Sequence, residues 1–251
     1  MRKILIMLAA TTLCGAAMAA APAIPSNIAR AVDDPARPAT DTSRDMGRKP
    51  APVLAFAGIR PGMVVVDMLP GGGYFTRLFS DAVGPTGKVI AYVPDENLAR
   101  FPKALDRINA IAAEPNHKNV QAEHNPLMAP GPDNVADVIW TSQNYHDLHN
   151  VPGVDLVAFN KLVFRSLRPG GVYVVLDHSA PAGSGASTTS TLHRIDPAVV
   201  RKEAEAAGFV FDGESNVLAN PADPRTAGVF DPSIRGHTDQ FVLRFRKPGG
   251  K

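Results

Sequence analysis

Four histidines of the sequence lie at positions from which they could share one catalytic pocket. His146 and His149 follow the fourth strand-like run, His178 follows the fifth, directly after Asp177, and His193 lies in the next connection. The carboxyl ends of the strands in an open parallel sheet face one edge, so we expect these side chains to converge there. An imidazole or a carboxylate in such a pocket could remove a proton from a hydroxyl or an amine of a substrate.

The same side chains could instead bind a metal ion. His146 and His149 are three positions apart, which on a helix would place both on one face, and Asp177, His178 or His193 could complete a site. Such an ion could orient a substrate or support hydrolysis. A third interpretation is structural, since polar loop residues often bond only to each other and to the backbone. The spacing alone leaves these three interpretations open.

A glycine-rich turn follows the first predicted strand. The β-branched run Val64–Val66 leads into Asp67, and three consecutive glycines, Gly71, Gly72 and Gly73, precede the next helix. Glycine lets the backbone approach a ligand closely, and the first turn of a helix offers free amide donors. The pattern therefore predicts a ligand-binding loop at the end of this strand.

Strand-like runs alternate with helical segments along most of the chain. The predicted strands are 63–67, 88–93, 119–122, 136–140, 172–176, 209–211 and 240–246. The predicted helices are 26–32, 50–57, 74–83, 96–113, 154–167 and 197–207. This alternation predicts an α/β fold, a three-layer, doubly wound and mostly parallel sheet with right-handed crossovers. Residues 22–45 are predicted to form an N-terminal arm on the surface, and 46–248 the α/β domain.

This order of elements resembles the class I S-adenosylmethionine-dependent methyltransferases. The features that carry the resemblance are the strand, acid and glycine loop at 64–73, the turn at 84–89 and the run at 167–171. Four longer motifs are similar to a group of exported bacterial proteins described as predicted methyltransferases: Pro70–Thr76, Ser142–His149, Asp177–Ala180 and Leu192–Asp196. The resemblance covers residues 45–248 and implies a Rossmann-like fold with an antiparallel C-terminal strand.

The resemblance implies S-adenosylmethionine as the cofactor and methyl transfer to a small-molecule acceptor. The residues that it places at the cofactor are Asp67, Gly71, Gly72, Gly73, Asp95 and Asn144. The residues that it places around the acceptor are Tyr145, His146, His149, Asp177, His178 and His193. A divalent metal is compatible with this set. A metal-dependent hydrolase and a non-catalytic binding module on the same fold are the alternative functions.

The sequence departs from the general methyltransferase pattern at two positions. Leu69 stands where the first loop glycine is usual, and Val93 stands where a carboxylate usually ends the second strand and holds the ribose hydroxyls. A charged acceptor makes a stronger hydrogen bond to such hydroxyls than a neutral one. Asp95 or Glu96 could take over this role if the turn is wide enough.

Residues Met1–Ala21 have the pattern of a secretory signal peptide. Arg2 and Lys3 precede an apolar run, and Ala17-Met18-Ala19 supplies small residues for cleavage. We expect export to a bacterial periplasm or secretion. The single cysteine, Cys14, falls in this leader, which excludes disulfides, thiolate metal sites and a cysteine nucleophile in the mature chain.

The charge balance gives no indication of a polyanionic partner. The chain has 26 basic and 24 acidic residues, and loss of Arg2 and Lys3 with the leader makes the two numbers equal. A balanced chain has no electrostatic reason to bind nucleic acid or an anionic membrane. We therefore expect a small-molecule substrate, no nucleic acid and no membrane insertion once the leader is removed.

Other distinctive residues are predicted to be structural. Trp140 is expected in the core, and His117 and His124 in solvent. The long connection at 220–239 is expected to be braced by ion pairs of its arginines and aspartates, such as Arg225 with Asp239.

Overall fold

Seven strands form one mixed sheet in the computed structural model, which describes residues 23–129 and 131–249. The strands are β1 (Val64–Met68), β2 (Lys88–Tyr92), β3 (Val120–Glu123), β4 (Ala136–Ser142), β5 (Leu167–His178), β6 (Val210–Ser215) and β7 (Gln240–Arg246). Their order across the sheet is β3-β2-β1-β4-β5-β7-β6. Strands β1 to β5 run parallel, and β7 is antiparallel to both β5 and β6. The predicted doubly wound sheet with an antiparallel C-terminal strand is confirmed.

Ten helices accompany the sheet within the same described residues. They are α1 (Ser26–Val32), α2 (Ala39–Thr42), α3 (Asp45–Arg48), α4 (Pro50–Ala57), α5 (Tyr74–Val83), α6 (Asp95–Arg100), α7 (Ala104–Ala113), α8 (Tyr145–Leu148), α9 (Leu156–Ser166) and α10 (Pro197–Ala206). The single helix predicted over 96–113 is wrong, because Pro102 divides it into α6 and α7. Proline disfavours helical backbone in the residue before it, and Phe101 accordingly has φ −129° and ψ 75°.

Both faces of the sheet are buried, which makes the fold three-layered. Alternate strand residues face opposite sides, so Val65 and Trp140 pack with α5 on one side while Ile139 packs with α9 on the other. Trp140 is fully buried, and its ring lies 5.4 Å from that of Phe79, as expected for a core residue. Burial on both faces explains why the central strands carry apolar residues on both faces rather than alternating apolar with polar ones.

Helix α1 belongs to the core, which corrects the prediction that 22–45 forms an arm on the surface. Ile28 is completely buried in the same cluster as α5. The side-chain amide of Asn27 donates to the carbonyls of Ile59 at 3.2 Å and Ala82 at 3.0 Å. These hydrogen bonds join α1 to the segment after α4 and to the end of α5. The short apolar stretch of α1 was too brief to reveal this burial in the sequence.

The prediction that His117 is solvated is also wrong. Its side chain is 3% exposed, and Nδ1 lies 3.0 Å from Oγ of Ser80. Burial lowers the pKa of His117, although the charge of Glu114 opposes this. His124 is exposed as expected, and its Nδ1 lies 2.8 Å from Oδ1 of Asp95.

The connection before β7 is braced by ion pairs, as predicted. Arg225 Nη2 lies 3.0 Å from Asp239 Oδ2. A second pair, Arg194 with Asp223, has an N–O distance of 2.8 Å and is fully buried. Asp223 also accepts hydrogen bonds from the backbone amides of Arg225 and Asp239. The connection is thereby fixed beside His193, the residue that precedes Arg194.

The predicted signal peptide lies outside the described residues. Among residues 23–129 and 131–249, no helix combines the length and the apolar character that crossing a membrane requires.

Candidate functional site

An open pocket of about 970 Å³ lies at the carboxyl edge of the central strands. Its walls come from the segments that follow β1, β2 and β4, and from the connections that carry Asp147 and His193. The strand order reverses between β1 and β4, which is the place where open α/β sheets bind ligands. The volume suits a ligand the size of a nucleoside conjugate together with a second small molecule.

The three loop glycines have different environments. Gly71 lines the pocket with φ 60°, and nothing lies within 4 Å of the position that a Cβ would take. Gly73 is buried with φ 80°, and a Cβ there would clash with Cδ1 of Ile111 on α7. Gly72 is exposed and is not part of the wall. The structure thus places Gly71 for a ligand, while Gly73 permits close packing.

Leu69 keeps the left-handed backbone at the position where glycine is usual. Its φ is 55°, a conformation that bulky residues rarely adopt. The backbone is held on both sides, because Leu69 donates its amide to the Tyr92 carbonyl at 2.9 Å and accepts a hydrogen bond from the Asn144 side chain at 3.1 Å. Asn144 lines the pocket, and its hydrogen bond to Leu69 ties the glycine loop to the end of β4.

Asp67 lies behind the loop rather than on the pocket wall. It is 2% exposed, and Oγ1 of Thr76 in α5 donates to its Oδ2 at 2.6 Å. Burial raises the pKa of Asp67 to about 7, although the Thr76 hydrogen bond and the charge of Arg48 act to lower it. Asp67 therefore joins the end of β1 to the first turn of α5 and positions the loop between them.

The pocket wall at the end of β2 carries Glu96 rather than Asp95. Val93 is buried at the wall, as its apolar side chain requires. Asp95 is not among the lining residues, and its carboxylate bonds to His124. Glu96 lines the pocket, and its Oε2 accepts the backbone amide of Leu127 at 2.9 Å. Of the two candidates for the missing strand-end carboxylate, the structure brings Glu96 to the site.

His146 and Asp177 form a buried pair at the ends of β4 and β5. Nδ1 of His146 lies 2.8 Å from Asp177 Oδ1, and the backbone amide of His146 donates to Oδ2 at 2.8 Å. Burial acts to lower the pKa of His146, but the charge and hydrogen bond of Asp177 outweigh it and raise the pKa. Burial acts to raise the pKa of Asp177, but the charge and hydrogen bond of His146 outweigh it, so the pKa of Asp177 is lowered.

His193 meets this pair from the opposite side. Its Nδ1 lies 3.3 Å from Nε2 of His146. A carboxylate oxygen of Asp147 lies 3.5 Å from His146 Nε2 and 3.6 Å from His193 Nδ1. His193 has a left-handed backbone, with φ 55°, and lines the pocket together with Asp147. The structure thus brings together His146, Asp177 and His193, three of the residues that the sequence places at this edge of the sheet.

Tyr145 and His149 lie in a separate cluster around Glu203 of α10. The Tyr145 hydroxyl donates to Glu203 Oε2 at 2.7 Å and accepts a hydrogen bond from Asn160 at 2.8 Å. Nε2 of His149 lies 3.3 Å from the same carboxylate oxygen. Burial raises the pKa of Tyr145 well above its ordinary value. Neither residue lines the pocket, and the helical spacing used in the sequence could not show which side of α8 faces it.

His178 is also set back from the pocket wall. Its Nδ1 lies 2.8 Å from Oγ1 of Thr238, a partner that no sequence pattern indicated. Burial lowers the pKa of His178 to about 4, so its ring is neutral near pH 7. The ring centroids of His178 and His146 are 6.2 Å apart.

Arg48 is a residue of this region to which the sequence analysis gave no role. Its Nη2 donates to Oε1 of Gln143 at 2.9 Å, and its guanidinium lies 4.7 Å from the centre of the Tyr74 ring. Burial lowers the pKa of Arg48 to about 10. Arg37 and Arg44 approach the same ring from separate segments, an arrangement that no periodicity in the sequence indicates.

Comparison with known families gives the site its context. Residues 48–194 match the family model of the ubiE/COQ5 methyltransferase family. The chain belongs to this family. The matched span contains every site residue predicted from the sequence, and it ends before α10, β6 and β7.

Curated members of the ubiE/COQ5 family show the same relationship. The Ubiquinone/menaquinone biosynthesis C-methyltransferase UbiE of Escherichia coli (strain K12 / DH10B) is 32% identical over 189 residues. The protein of that name from Shigella boydii serotype 18 matches equally well. The alignment covers 75% of this chain and 65% of the relative, so the match spans slightly less than two thirds of the length of these relatives.

Several solved structures share the fold of this chain. A SAM dependent methyltransferase from Aquifex aeolicus has a TM-score of 0.56 and 21% identity, and the match covers 88% of this chain and 97% of that one. The arsenic (III) S-adenosylmethionine methyltransferase of Chlamydomonas reinhardtii has a TM-score of 0.55 and 16% identity, with coverages of 90% and 74%. The [4+2]-cyclase SpnF has a TM-score of 0.57 and 18% identity, with coverages of 84% and 82%. The last comparison illustrates that this fold does not by itself fix the reaction.

Proposed function

We propose that the protein transfers a methyl group from S-adenosylmethionine to a small-molecule acceptor. The observation that carries the proposal is one continuous pocket that has the glycine loop and Glu96 on one side and Asp147 and His193 on the other. Membership of the ubiE/COQ5 methyltransferase family favours this function over the hydrolase and the binding module that the sequence left open.

The residues at the loop side fit an adenosyl cofactor. Gly71 leaves open space beside the first turn of α5, where free amides favour polar ligand groups. Glu96 offers a carboxylate to hydroxyl donors, and Val93 offers an apolar surface to the rest of the ligand. When bound, the cofactor would supply an electrophilic methyl group on a sulfonium centre.

The residues at the opposite side suit an acceptor with an apolar body and a polar reacting group. Leu148 and Val151 form apolar parts of the wall. Asp147 and His193 present polar atoms there, and the buried pair of His146 and Asp177 lies behind them. Burial of the acceptor against this wall would exclude water and align it, which is the main requirement of a group transfer of this type.

Calorimetric titration of the purified chain with S-adenosylhomocysteine tests the cofactor site. We expect saturable binding, and we expect Gly71→Ala and Glu96→Gln each to weaken it by about tenfold, because one crowds the ligand and the other removes a charged acceptor. Gly72→Ala is the matched control, since Gly72 lies next to the wall but not on it. The absence of any heat at millimolar ligand would overturn the proposal.

We also propose that the mature protein is exported, as in the group of exported bacterial proteins that it resembles. The support is the pattern of Met1–Ala21, with two cations, an apolar run and small residues at the cleavage position. Fractionation of a Gram-negative host that expresses the full chain, with N-terminal sequencing of the product, tests it. A product retained in the cytoplasm with Met1 intact would contradict the proposal.

A further inference from the structure

Three side chains on the acceptor side of the pocket each bring one ligand atom within 3.6 Å of the other two. They are His146 through Nε2, His193 through Nδ1 and Asp147 through Oδ1. Imidazole nitrogen and carboxylate oxygen are the donors that Zn²⁺ accepts in catalytic sites. All three residues come from connections that follow β4 and β5, so the sheet itself brings them together.

The separations of these atoms match metal ligands better than hydrogen-bond partners. They are 3.3 Å from His146 Nε2 to His193 Nδ1, and 3.5 Å and 3.6 Å from Asp147 Oδ1 to the same two nitrogens. Hydrogen bonds between such groups are typically ~2.7–3.2 Å long. Tetrahedral bonds of about 2.0–2.1 Å place neighbouring ligand atoms ~3.3–3.4 Å apart. The three atoms therefore outline one face of a tetrahedron.

Asp177 prepares His146 for this role. Its carboxylate faces Nδ1 of His146 at 2.8 Å and is completely buried. A proton on Nδ1 donated to Asp177 leaves the lone pair of Nε2 directed at the other two ligand atoms. A carboxylate behind a ligating imidazole is the usual arrangement in metal sites, where it fixes the ring and strengthens the ligand.

His193 is held in place by its neighbour in the chain. Arg194 is fully buried, donates to the carbonyls of Ser179 at 3.0 Å and Ala227 at 2.9 Å, and pairs with Asp223. This anchor fixes the backbone on one side of His193 while its ring contacts the pocket. Little side-chain ordering would thus be needed when an ion binds.

We infer that His146, Asp147 and His193 form a site for a divalent transition metal ion of the zinc class, with its fourth coordination position open to the pocket. Asp147 and His193 line the pocket, whereas His146 is buried behind them. The open position would take an oxygen ligand, either water or a hydroxyl, phenolate or carboxylate oxygen of a pocket ligand. The site stands on its own geometry and does not depend on the proposed methyl transfer.

The test is metal binding by the full chain, prepared without an affinity tag and stripped with a chelator. Calorimetric titration with ZnCl₂ is expected to show one ion per chain. Titration with Co²⁺ is expected to give the visible absorption bands of a site with low coordination number. His193→Ala and Asp147→Asn change residues that are part-exposed, so folding is retained, and each is expected to weaken zinc binding by at least about tenfold.

His124→Ala is the matched control, because His124 is another exposed histidine that pairs with an aspartate, Asp95. Its zinc affinity should equal that of the unchanged chain. His146→Ala is less informative, since it disturbs the buried pair with Asp177 and could unfold the protein. Less than about 0.1 zinc per chain, or equal binding by His193→Ala and the unchanged chain, would overturn the inference.

Discussion

Asp177 holds His146 at two points, because one carboxylate oxygen accepts the imidazole Nδ1–H and the other accepts the backbone amide of the same residue, both at 2.8 Å. The first of these oxygens also accepts the amide of His178 at 2.7 Å. The carboxylate therefore closes the ends of β4 and β5 on each other and sets the direction in which Nε2 of His146 points.

Asp177→Asn is expected to destabilise the protein by about 2–4 kcal/mol. An amide can accept from only one side, so its NH₂ group would face a buried N–H donor and leave it without a partner. Urea unfolding measures the change. Asp147→Asn is the control, because that carboxylate is 43% exposed and should alter stability by less than about 0.5 kcal/mol. Equal effects of the two substitutions would show that the buried pair does not stabilise this edge.

Tyr145→Phe is expected to lower stability by about 1–2 kcal/mol and leave S-adenosylhomocysteine affinity unchanged. The hydroxyl joins Glu203 and Asn160 in a buried cluster that does not reach the pocket. Thermal unfolding and calorimetric titration measure the two quantities. A stable variant with greatly weakened S-adenosylhomocysteine binding would instead show that Tyr145 acts on the pocket.

The sequence predicted the sheet well because the central strands are buried on both faces. The runs 64–66 and 138–140 within β1 and β4 are uninterrupted apolar stretches, as expected for parallel strands between two helical layers. The carboxyl-edge position of the site followed from the same argument. Hydrophobic pattern therefore predicted where the site is.

It could not predict which polar side chains face the pocket. Tyr145 and His146 are adjacent in α8, yet one contacts Glu203 and the other Asp177. This choice depends on Glu203 in α10 and Asp177 in β5, which lie 58 and 31 residues further along the chain than their partners. Asp95 and Glu96 show the same limit, because the start of α6 decides which of two neighbouring acids turns inwards.

Gly73→Ala is expected to destabilise the protein by about 2–4 kcal/mol. Alanine would have to adopt the left-handed backbone of Gly73, and its Cβ would clash with Cδ1 of Ile111. Gly72→Ala should change stability by less than about 0.5 kcal/mol, because open space surrounds that position. Urea unfolding of both variants separates a packing glycine from a solvent-exposed one.

A double substitution distinguishes the contact from the backbone strain. Ile111→Val deletes the clashing Cδ1 and alone should cost about 0.5–1.5 kcal/mol. Combined with Gly73→Ala, it should recover at least about 1 kcal/mol relative to the sum of the single effects, while the strain of the left-handed alanine remains. Strictly additive effects would mean that α7 moves aside without cost.

Asp67→Asn is expected to stabilise the protein more at pH 8 than at pH 5. Burial raises the pKa of Asp67 to about 7 in the folded state, above the ordinary value of 3.8. Between these values the folded chain binds a proton that the unfolded chain has lost, so the contribution of Asp67 to stability falls as the pH rises and is fully lost above about 7. Asparagine lacks this loss and can still accept the hydroxyl hydrogen bond of Thr76. The stability of the variant relative to the unchanged chain should therefore rise by about 1.4 kcal/mol per pH unit up to pH ~7 and then level off.

Urea unfolding from pH 5 to pH 8 measures this difference, with Asp106→Asn on the exposed side of α7 as the control. A difference that does not change with pH would show that Asp67 is ionised in the folded protein throughout this range.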